Sequence, residues 1–214
     1  KKPRADISSF FASKPLEINP KYKKGNLDDY VTQTFYAPNV SWHVQRMGKG
    51  KNGMMVSLNA SLGNHMHANG INMELYGKGL VQGSDPGKGA GYLQPVYLEF
   101  YSQFPAHNTV MVDGVSSYTE MLSYHAFDLM GQYPISGQKE GYYKDITYSD
   151  VYFLEPETRS DQSRLVSIVK TGEETGYYVD IFRSKKQRKG DKFHDYYYHN
   201  LGQTMKVMDA DGNP

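Results

Sequence analysis

The sequence contains no cysteine, so it can form neither a disulfide framework nor a thiolate metal site or nucleophile. It has one tryptophan, against nineteen tyrosines, and no apolar run long enough to span a bilayer. Helical periodicity is weak throughout. The 24 basic and 23 acidic side chains give a formal charge of +1, which lacks the basic surplus that nucleic-acid binding requires. We therefore expect no disulfide scaffold, no membrane span and no nucleic-acid partner.

Short apolar or aromatic runs that end at glycine, asparagine or aspartate recur along the chain and are typical of β-strands. In 55–61, Val56, Leu58 and Ala60 fall on one face of a strand, because side chains two residues apart share a face. Tyrosine-rich runs also favour half-buried strands. We predict an all-β fold, an antiparallel two-sheet β-sandwich of the supersandwich type with few or no helices. A short helix is plausible only over 117–129. Further strands are predicted over 73–76, 109–112, 150–154, 164–170, 177–183, 195–199 and 205–208.

The pattern divides the chain into two parts. Residues 1–30 contain Pro3, Pro15 and Pro20 and a polar stretch, which predicts an extended lead-in or linker. Residues 31–214 carry the strand signals and form the predicted sandwich domain. Within it, the basic run Lys185 to Lys189 predicts a solvated hairpin tip that could attract an acidic polymer.

One segment concentrates side chains that carry chemistry. His65, His67 and His107 lie within it, together with Asp85. In a strand, His65 and His67 would point the same way. Neutral imidazole and carboxylate are ordinary zinc ligands, and two histidines with one aspartate leave a fourth position open. Histidine is also a general base near neutral pH. A bare His-x-His pair equally suits packing or surface roles, and both interpretations stay open at this point.

The order of motifs around these residues resembles a known family. Asn-His-x-His at 64–67 is followed by an apolar strand at 73–79, Asp-Pro-Gly at 85–87, a tyrosine-rich stretch and the run 107–114. The segments 177–183 and 194–199 continue the likeness. Over about residues 55–200 this order resembles the C-terminal β-sandwich domain of heparinase II/III-type polysaccharide lyases.

This resemblance implies a lyase that cleaves uronate-containing acidic polysaccharides by β-elimination. It matches His65 to a histidine that faces the substrate, and it implies a structural zinc or other divalent ion bound by His67, Asp85 and His107. Tyr92 is the match for the cleft tyrosine that acts on the leaving oxygen, and Tyr101 is the rival and a substrate-binding candidate. Asn64 is expected to contact substrate as well.

Two departures from the family pattern matter. Many relatives carry an acidic residue shortly after the His-x-His pair, where this chain has Ala-Asn-Gly at 68–70. No segment has the long amphipathic helices of the family's N-terminal helical toroid. We therefore expect that helical domain, the other half of the active site, to be absent from this chain and the chain alone to be nearly inactive. The resemblance implies a periplasmic or extracellular location, although no signal peptide is visible.

Two other functions remain as alternatives. A non-catalytic carbohydrate-binding module would present a continuous aromatic surface and use an ion for structure only. A cupin-like metal enzyme would direct its histidines into a barrel interior and would have a further carboxylate close to the His-x-His pair.

Overall fold

The computed structural model describes residues 19–23, 25–26, 29–64, 67–116, 122–190, 193–202 and 204–214. Strands dominate the described chain, and the helical elements are single turns: 3₁₀ turns at Pro38–Val40, Gly50–Asn52 and Phe104–Ala106, and a π-helix at Tyr97–Tyr101. The strands are β1 (Thr34–Ala37), β2 (Trp42–Met47), β3 (Met54–Asn59), β4 (Ser61–Asn64), β5 (Asn72–Gly77), β6 (Leu80–Gly83), β7 (Val110–Val112), β8 (Leu122–His125), β9 (Asp128–Tyr133), β10 (Ile146–Glu155), β11 (Ser160–Lys170), β12 (Gly176–Lys186) and β13 (His194–Tyr196).

Two antiparallel sheets form the architecture. The first has five strands in the order β1-β2-β3-β5-β6, and the second has four in the order β12-β11-β10-β9. Two short ladders, β13 with β7 and β4 with β8, flank them. The predicted all-β sandwich with few helices is therefore confirmed.

The core lies between the two sheets. The first sheet contributes Val56, Leu58, Met73 and Leu75, and the second contributes Val151, Phe153, Val166 and Ile168. Because β-strands alternate faces, the burial of Val56, Leu58 and Ala60 confirms the face predicted from the sequence. The same alternation places Asn72 and Glu74 of β5 on the face of the first sheet that points away from the core.

A buried arginine crosses the interior of the sandwich. Arg164 of β11 is fully buried, and its Nε and Nη2 donate to the two carboxylate oxygens of Asp180 on β12 at 2.9 and 2.7 Å. Its Nη1 donates to the carbonyl oxygens of Ile71 and Asn108, each at 2.6 Å. One side chain therefore ties the second sheet to the segment that precedes β5 and to the segment that precedes β7.

Two local predictions were wrong. Residues 122–125 and 128–133 form β8 and β9 rather than a helix, and Met205–Met208 lie outside any strand.

The structure divides into two compact units, Lys1–Val31 and Thr32–Pro214. The described residues of the first unit include turns closed by Tyr22 N–H donating to the Asn19 carbonyl and Asp29 N–H donating to the Asn26 carbonyl. That residues 1–30 are a lead-in stays a prediction. No helix among the described residues is long and apolar enough to cross a membrane.

Candidate functional site

The three predicted metal ligands come together beside β5, although they are distant in sequence. His67 precedes β5, Asp85 follows β6, and His107 follows the 3₁₀ turn at Phe104–Ala106. The Asn72 side chain, on the outward face of β5, donates to Asp85 Oδ2 at 2.8 Å. We call His67, Asp85 and His107 the histidine cluster.

Asp85 and His107 form the centre of the histidine cluster. The Nδ1 of the fully buried His107 lies 2.6 Å from Asp85 Oδ2, and the Asp85 side chain is 14% exposed. The Gly87 N–H donates to the other oxygen, Oδ1, at 2.6 Å. Burial opposes the charge on Asp85, but the hydrogen bond and charge of His107 and the Gly87 N–H outweigh it, so the pKa of Asp85 is lowered. Asp85 is therefore a carboxylate at neutral pH.

The second ring nitrogen of His107 also faces an acceptor, because Nε2 lies 3.2 Å from the carbonyl oxygen of Tyr101. A neutral imidazole donates from only one nitrogen, whereas an imidazolium donates from both. The ring of His107 therefore lies between two oxygen acceptors, Asp85 Oδ2 and the Tyr101 carbonyl oxygen. Tyr101 therefore contacts the cluster through its backbone carbonyl group.

His67 completes the cluster by ring stacking. Its ring lies 4.6 Å from the His107 ring, centroid to centroid, at an interplanar angle of 15°. Burial and the neighbouring His107 lower the pKa of His67 to about 4, against the opposing attraction of Asp85. His67 is therefore neutral at physiological pH. Its Nδ1 is buried and has no hydrogen-bond partner, although buried polar atoms are normally paired.

Two asparagines hold the cluster in place. Asn72 donates to Asn59 Oδ1 at 3.0 Å as well as to Asp85, and its own Oδ1 accepts the Asn108 N–H at 2.9 Å. The Asn108 side chain donates to the Met73 carbonyl at 2.8 Å. Asn72 and Asn108 therefore connect β5 to both partners of the Asp85–His107 pair.

An aromatic wall built around the π-helix borders the cluster. Tyr97 is 2% exposed and meets the His67 ring edge-on at a centroid distance of 6.5 Å. Tyr92 packs edge-on against Tyr97 at 5.1 Å, and Lys88 Nζ lies 4.7 Å from the centre of the Tyr92 ring. Tyr92 is half-buried, so it belongs to the wall that borders the cluster.

Tyr101 differs from Tyr92 in its surroundings. Its ring packs over Gly89, where a Cβ would lie only 2.3 Å from Tyr101 Cε2. Gly89 also has a φ of +62°, a conformation that glycine adopts without steric cost. The choice between Tyr92 and Tyr101 as cleft tyrosine stays a prediction, with Tyr92 bordering the cluster through its ring and Tyr101 through its carbonyl group.

The structure describes the two remaining predicted site residues, Asn64 and His65, only in part. Asn64 ends β4, where it pairs with Leu122 of β8, but its side chain lies outside the described structure. His65 lies entirely outside the described residues. Their assigned contacts with substrate therefore stay predictions.

The donor types of the histidine cluster suit zinc. His67 offers a half-buried neutral imidazole with a buried, unpartnered Nδ1, and the neutral form is the one that binds a metal. Among the described side chains, however, no set of three or more His, Asp or Glu is arranged as a metal site, and Asp85 and His107 bond directly to each other. The cluster fits a metal by its chemistry, and zinc stays a prediction.

Sequence reasoning missed several members of the site. The sequence analysis did not name Asn72, Glu74 or Tyr97. Glu74 belongs to the site because its pKa is raised by burial and by the charge of the nearby Asp85. Asparagine at the start of an apolar strand is a usable signal, because a buried amide requires partners. The cluster also lies on the outward face of an open sheet rather than inside a barrel, which argues against the cupin-like alternative.

Comparison with solved structures bears on the fold. Two heparinase III chains, one with methylated lysines, match this chain with TM-scores of 0.53 and 0.51 at 17% and 18% identity. Each match covers 74% of this chain and 23% of the solved chain. The sandwich of this protein is therefore of the kind found in heparinase III.

Comparison with curated proteins adds a sequence relative. The chain is similar to the endo-acting ulvan lyase of Formosa agariphila, with 28% identity over 158 residues, which cover 69% of this chain and 19% of the relative. No family model matches the chain. This chain spans about a fifth of the length of the proteins that it matches. Together these likenesses confirm the resemblance to heparinase-like polysaccharide lyases.

Proposed function

We propose that this chain is the β-sandwich domain of a polysaccharide lyase that cleaves uronate-containing acidic polysaccharide by β-elimination. The observation that supports this most is the histidine cluster beside β5, in a chain similar to an ulvan lyase. The cluster consists of the three residues for which the family resemblance predicts a metal site, and His67 follows shortly after the Asn-His pair at 64–65, to which the resemblance assigns substrate contacts. Because large acidic polysaccharides occur outside the cytoplasm, the proposal includes a periplasmic or extracellular location.

The chemistry of β-elimination determines the proposed roles. The proton on the carbon next to the uronate carboxylate is weakly acidic, so its removal requires a base, a partner for the carboxylate and an acid at the leaving oxygen. The base takes that proton, a carbon–carbon double bond forms, and the bond to the leaving glycosidic oxygen breaks as that oxygen is protonated. We assign His65 to proton transfer, Asn64 to the substrate carboxylate, and Tyr92 or Tyr101 to the leaving oxygen.

The histidine cluster would support these residues rather than react. His67, Asp85 and His107 would hold zinc, which would supply a structural cross-link between the segments that precede β5, follow β6 and precede β7. His67 is two residues from His65, so holding its ring fixes the backbone that presents His65. The Asn72 and Asn108 hydrogen bonds orient the Asp85–His107 pair in the same way. The remaining catalytic groups would come from a helical domain of the family type, which none of the described elements forms.

Metal content tests the cluster, and product absorbance tests the reaction. We expect about one zinc per chain by elemental analysis, lost in His67→Ala and in Asp85→Ala and kept in Glu140→Ala, an exposed carboxylate on the β9–β10 loop. With ulvan as substrate, the chain alone should give almost no ultraviolet-absorbing unsaturated product, because part of the active site lies elsewhere. Absence of metal from the native chain would remove the zinc assignment. Specific elimination by the chain alone would refute the divided active site.

The alternative of a non-catalytic carbohydrate-binding module makes different demands. It requires a continuous aromatic surface that binds glycan, and it requires no catalytic role for His65. Joining a helical domain of the family type to this chain separates the two functions. A lyase gains elimination activity that His65→Ala removes, whereas a binding module gains none.

A further inference from the structure

A second concave surface lies away from the histidine cluster. A groove of about 1110 Å³ is lined by residues of β5, β6, β7, β12 and β13. We call it the β12 groove. Its lining includes the apolar side chains of Met73, Leu75 and Val110 and five aromatic side chains: Tyr177, Tyr178, Phe182, Tyr196 and Tyr198.

The β12 groove and the histidine cluster lie on opposite faces of one strand. Met73 and Leu75 of β5 line the groove, whereas Asn72, the first residue of the same strand, bonds to Asp85. Alternation of side chains along a strand separates these two sets. A ligand in the groove therefore occupies a site different from the one assigned to the lyase reaction.

The aromatic residues that line the β12 groove present ring faces and protonated hydroxyl groups together. Tyr177 is 52% exposed and Tyr198 is 39% exposed. Burial raises the pKa of Tyr178 to about 12, and burial also raises the pKa of Tyr196, so both hydroxyls stay neutral. Such a surface suits sugars, which combine apolar ring faces with hydroxyl groups.

The one carboxylate in the groove is already neutralised. Asp180 accepts two hydrogen bonds from Arg164, and Tyr196 Oη donates to its Oδ2 at 2.6 Å. The lining therefore carries no uncompensated negative charge at this point. An anionic ligand would meet no repulsion from Asp180.

One end of the β12 groove leads to the basic run noted in the sequence. Ser184 and His194 line the groove, and β12 continues from Ser184 to Lys186. Lys186 shares the strand face of Ser184 and pairs with Asp113 at 2.6 Å, whereas Arg183 and Lys185 lie on the opposite face of β12. Arg188 and Lys189 follow β12 and are exposed.

We propose that the β12 groove binds a stretch of acidic oligosaccharide, with sugar rings against the tyrosines and an acidic group towards Arg188 and Lys189. This inference rests on the proposed function for the class of ligand, and its location rests on the groove alone. A polymer bound here as well as at the histidine cluster would be held at two points, which raises its effective concentration at the reacting site.

Binding of an ulvan-derived oligosaccharide to the purified chain, measured by isothermal titration calorimetry, tests the proposal. Loss of ring stacking in Tyr177→Ala/Tyr198→Ala should weaken binding by roughly tenfold. Replacing the exposed cations in Arg188→Gln/Lys189→Gln should weaken it similarly and reduce its salt dependence. Matched controls away from the groove, Tyr142→Ala and Lys139→Gln/Lys144→Gln, should bind as the native chain does. Circular dichroism checks that each variant folds.

Three outcomes would overturn the inference. Binding that survives both groove variants and disappears in His67→Ala would place the ligand at the histidine cluster. Equal affinity for neutral maltohexaose would remove the acidic class of ligand. A dimer seen by analytical ultracentrifugation and lost in Tyr177→Ala/Tyr198→Ala would make the groove a contact between copies of the chain. Failure of the proposed lyase function, seen as absent zinc or as no elimination once a helical domain is joined to the chain, would leave groove binding intact, so the two failures are distinguishable.

Discussion

Replacement of Arg164 is the most direct test of how the two sheets and the histidine cluster depend on each other. Arg164→Met keeps an unbranched side chain of similar length and removes the guanidinium. The change leaves Asp180, whose side chain is only 18% exposed, without its ion-pair partner. It also removes the donors to the carbonyl oxygens of Ile71 and Asn108.

The expected loss is large because both effects concern buried groups. Removing one partner of a buried ion pair costs about 3–5 kcal/mol of the free energy of unfolding. The Asp180 carboxylate keeps the Tyr196 hydroxyl as a donor, so we expect a value near the middle of that range, about 4 kcal/mol. For a domain of this size each kcal/mol corresponds to roughly 2–4 °C in Tm, which predicts a decrease of roughly 8–16 °C.

Chemical denaturation followed by circular dichroism measures this change. Arg183→Met, an exposed arginine on β12, is the matched control and should stay within about 0.5 kcal/mol of the native chain. The double variant Arg164→Met/Asp180→Leu removes both charges and should recover part of the loss, because no buried charge is left unpaired. A loss below about 1 kcal/mol in Arg164→Met would refute the reasoning, since it would mean that Asp180 is as well solvated as a surface carboxylate.

Three further predictions concern the histidine cluster. In the metal-free chain, the free energy of unfolding should fall by up to about 3 kcal/mol as pH decreases from 6.5 to about 4, because His67 binds a proton more readily in the unfolded chain than in the folded one. Denaturation curves measured over this pH range should show a smaller dependence of that free energy on pH in His67→Gln. Gly70→Ala should cost about 1–3 kcal/mol, since φ is +56° and the new Cβ would lie 2.6 Å from Thr109 Oγ1; an unchanged Tm would contradict this. Asn72→Ala should weaken zinc binding roughly 10–100-fold in competition with a chelator, because Asp85 loses a donor; equal affinity would exclude an orienting role.

The strands and the core were accessible from the sequence because they depend on local alternation. Val56, Leu58 and Ala60 were assigned to one face and are all fully buried. The segments 150–154 and 164–170 were placed correctly but too short, since β10 and β11 extend over Ile146–Glu155 and Ser160–Lys170. Their added residues are largely polar, and pairing with the neighbouring strand rather than composition keeps them extended.

The site was predicted only where a motif marked it. His67, Asp85 and His107 were named through the order of motifs, and the structure brings them together. Asn72 and Arg164 were missed because their partners lie far away in the sequence. Asp180 illustrates the limit, because its partner is Arg164, sixteen residues away on the adjacent strand. Local spacing contains no information about which strand is adjacent.

The sharing of β5 between the histidine cluster and the β12 groove has a consequence for how this domain tolerates change. Inserting or deleting one residue between His67 and Asn72 would favour a one-residue slip of β5 against β3, which pairs Leu58 with Met73 and Asn59 with Asn72. Because side chains alternate with a period of two, that slip would turn Asn72 inward and Met73 outward. Both surfaces would be lost in one step. Length variation in the 68–71 connection should therefore be far more restricted than substitution within it.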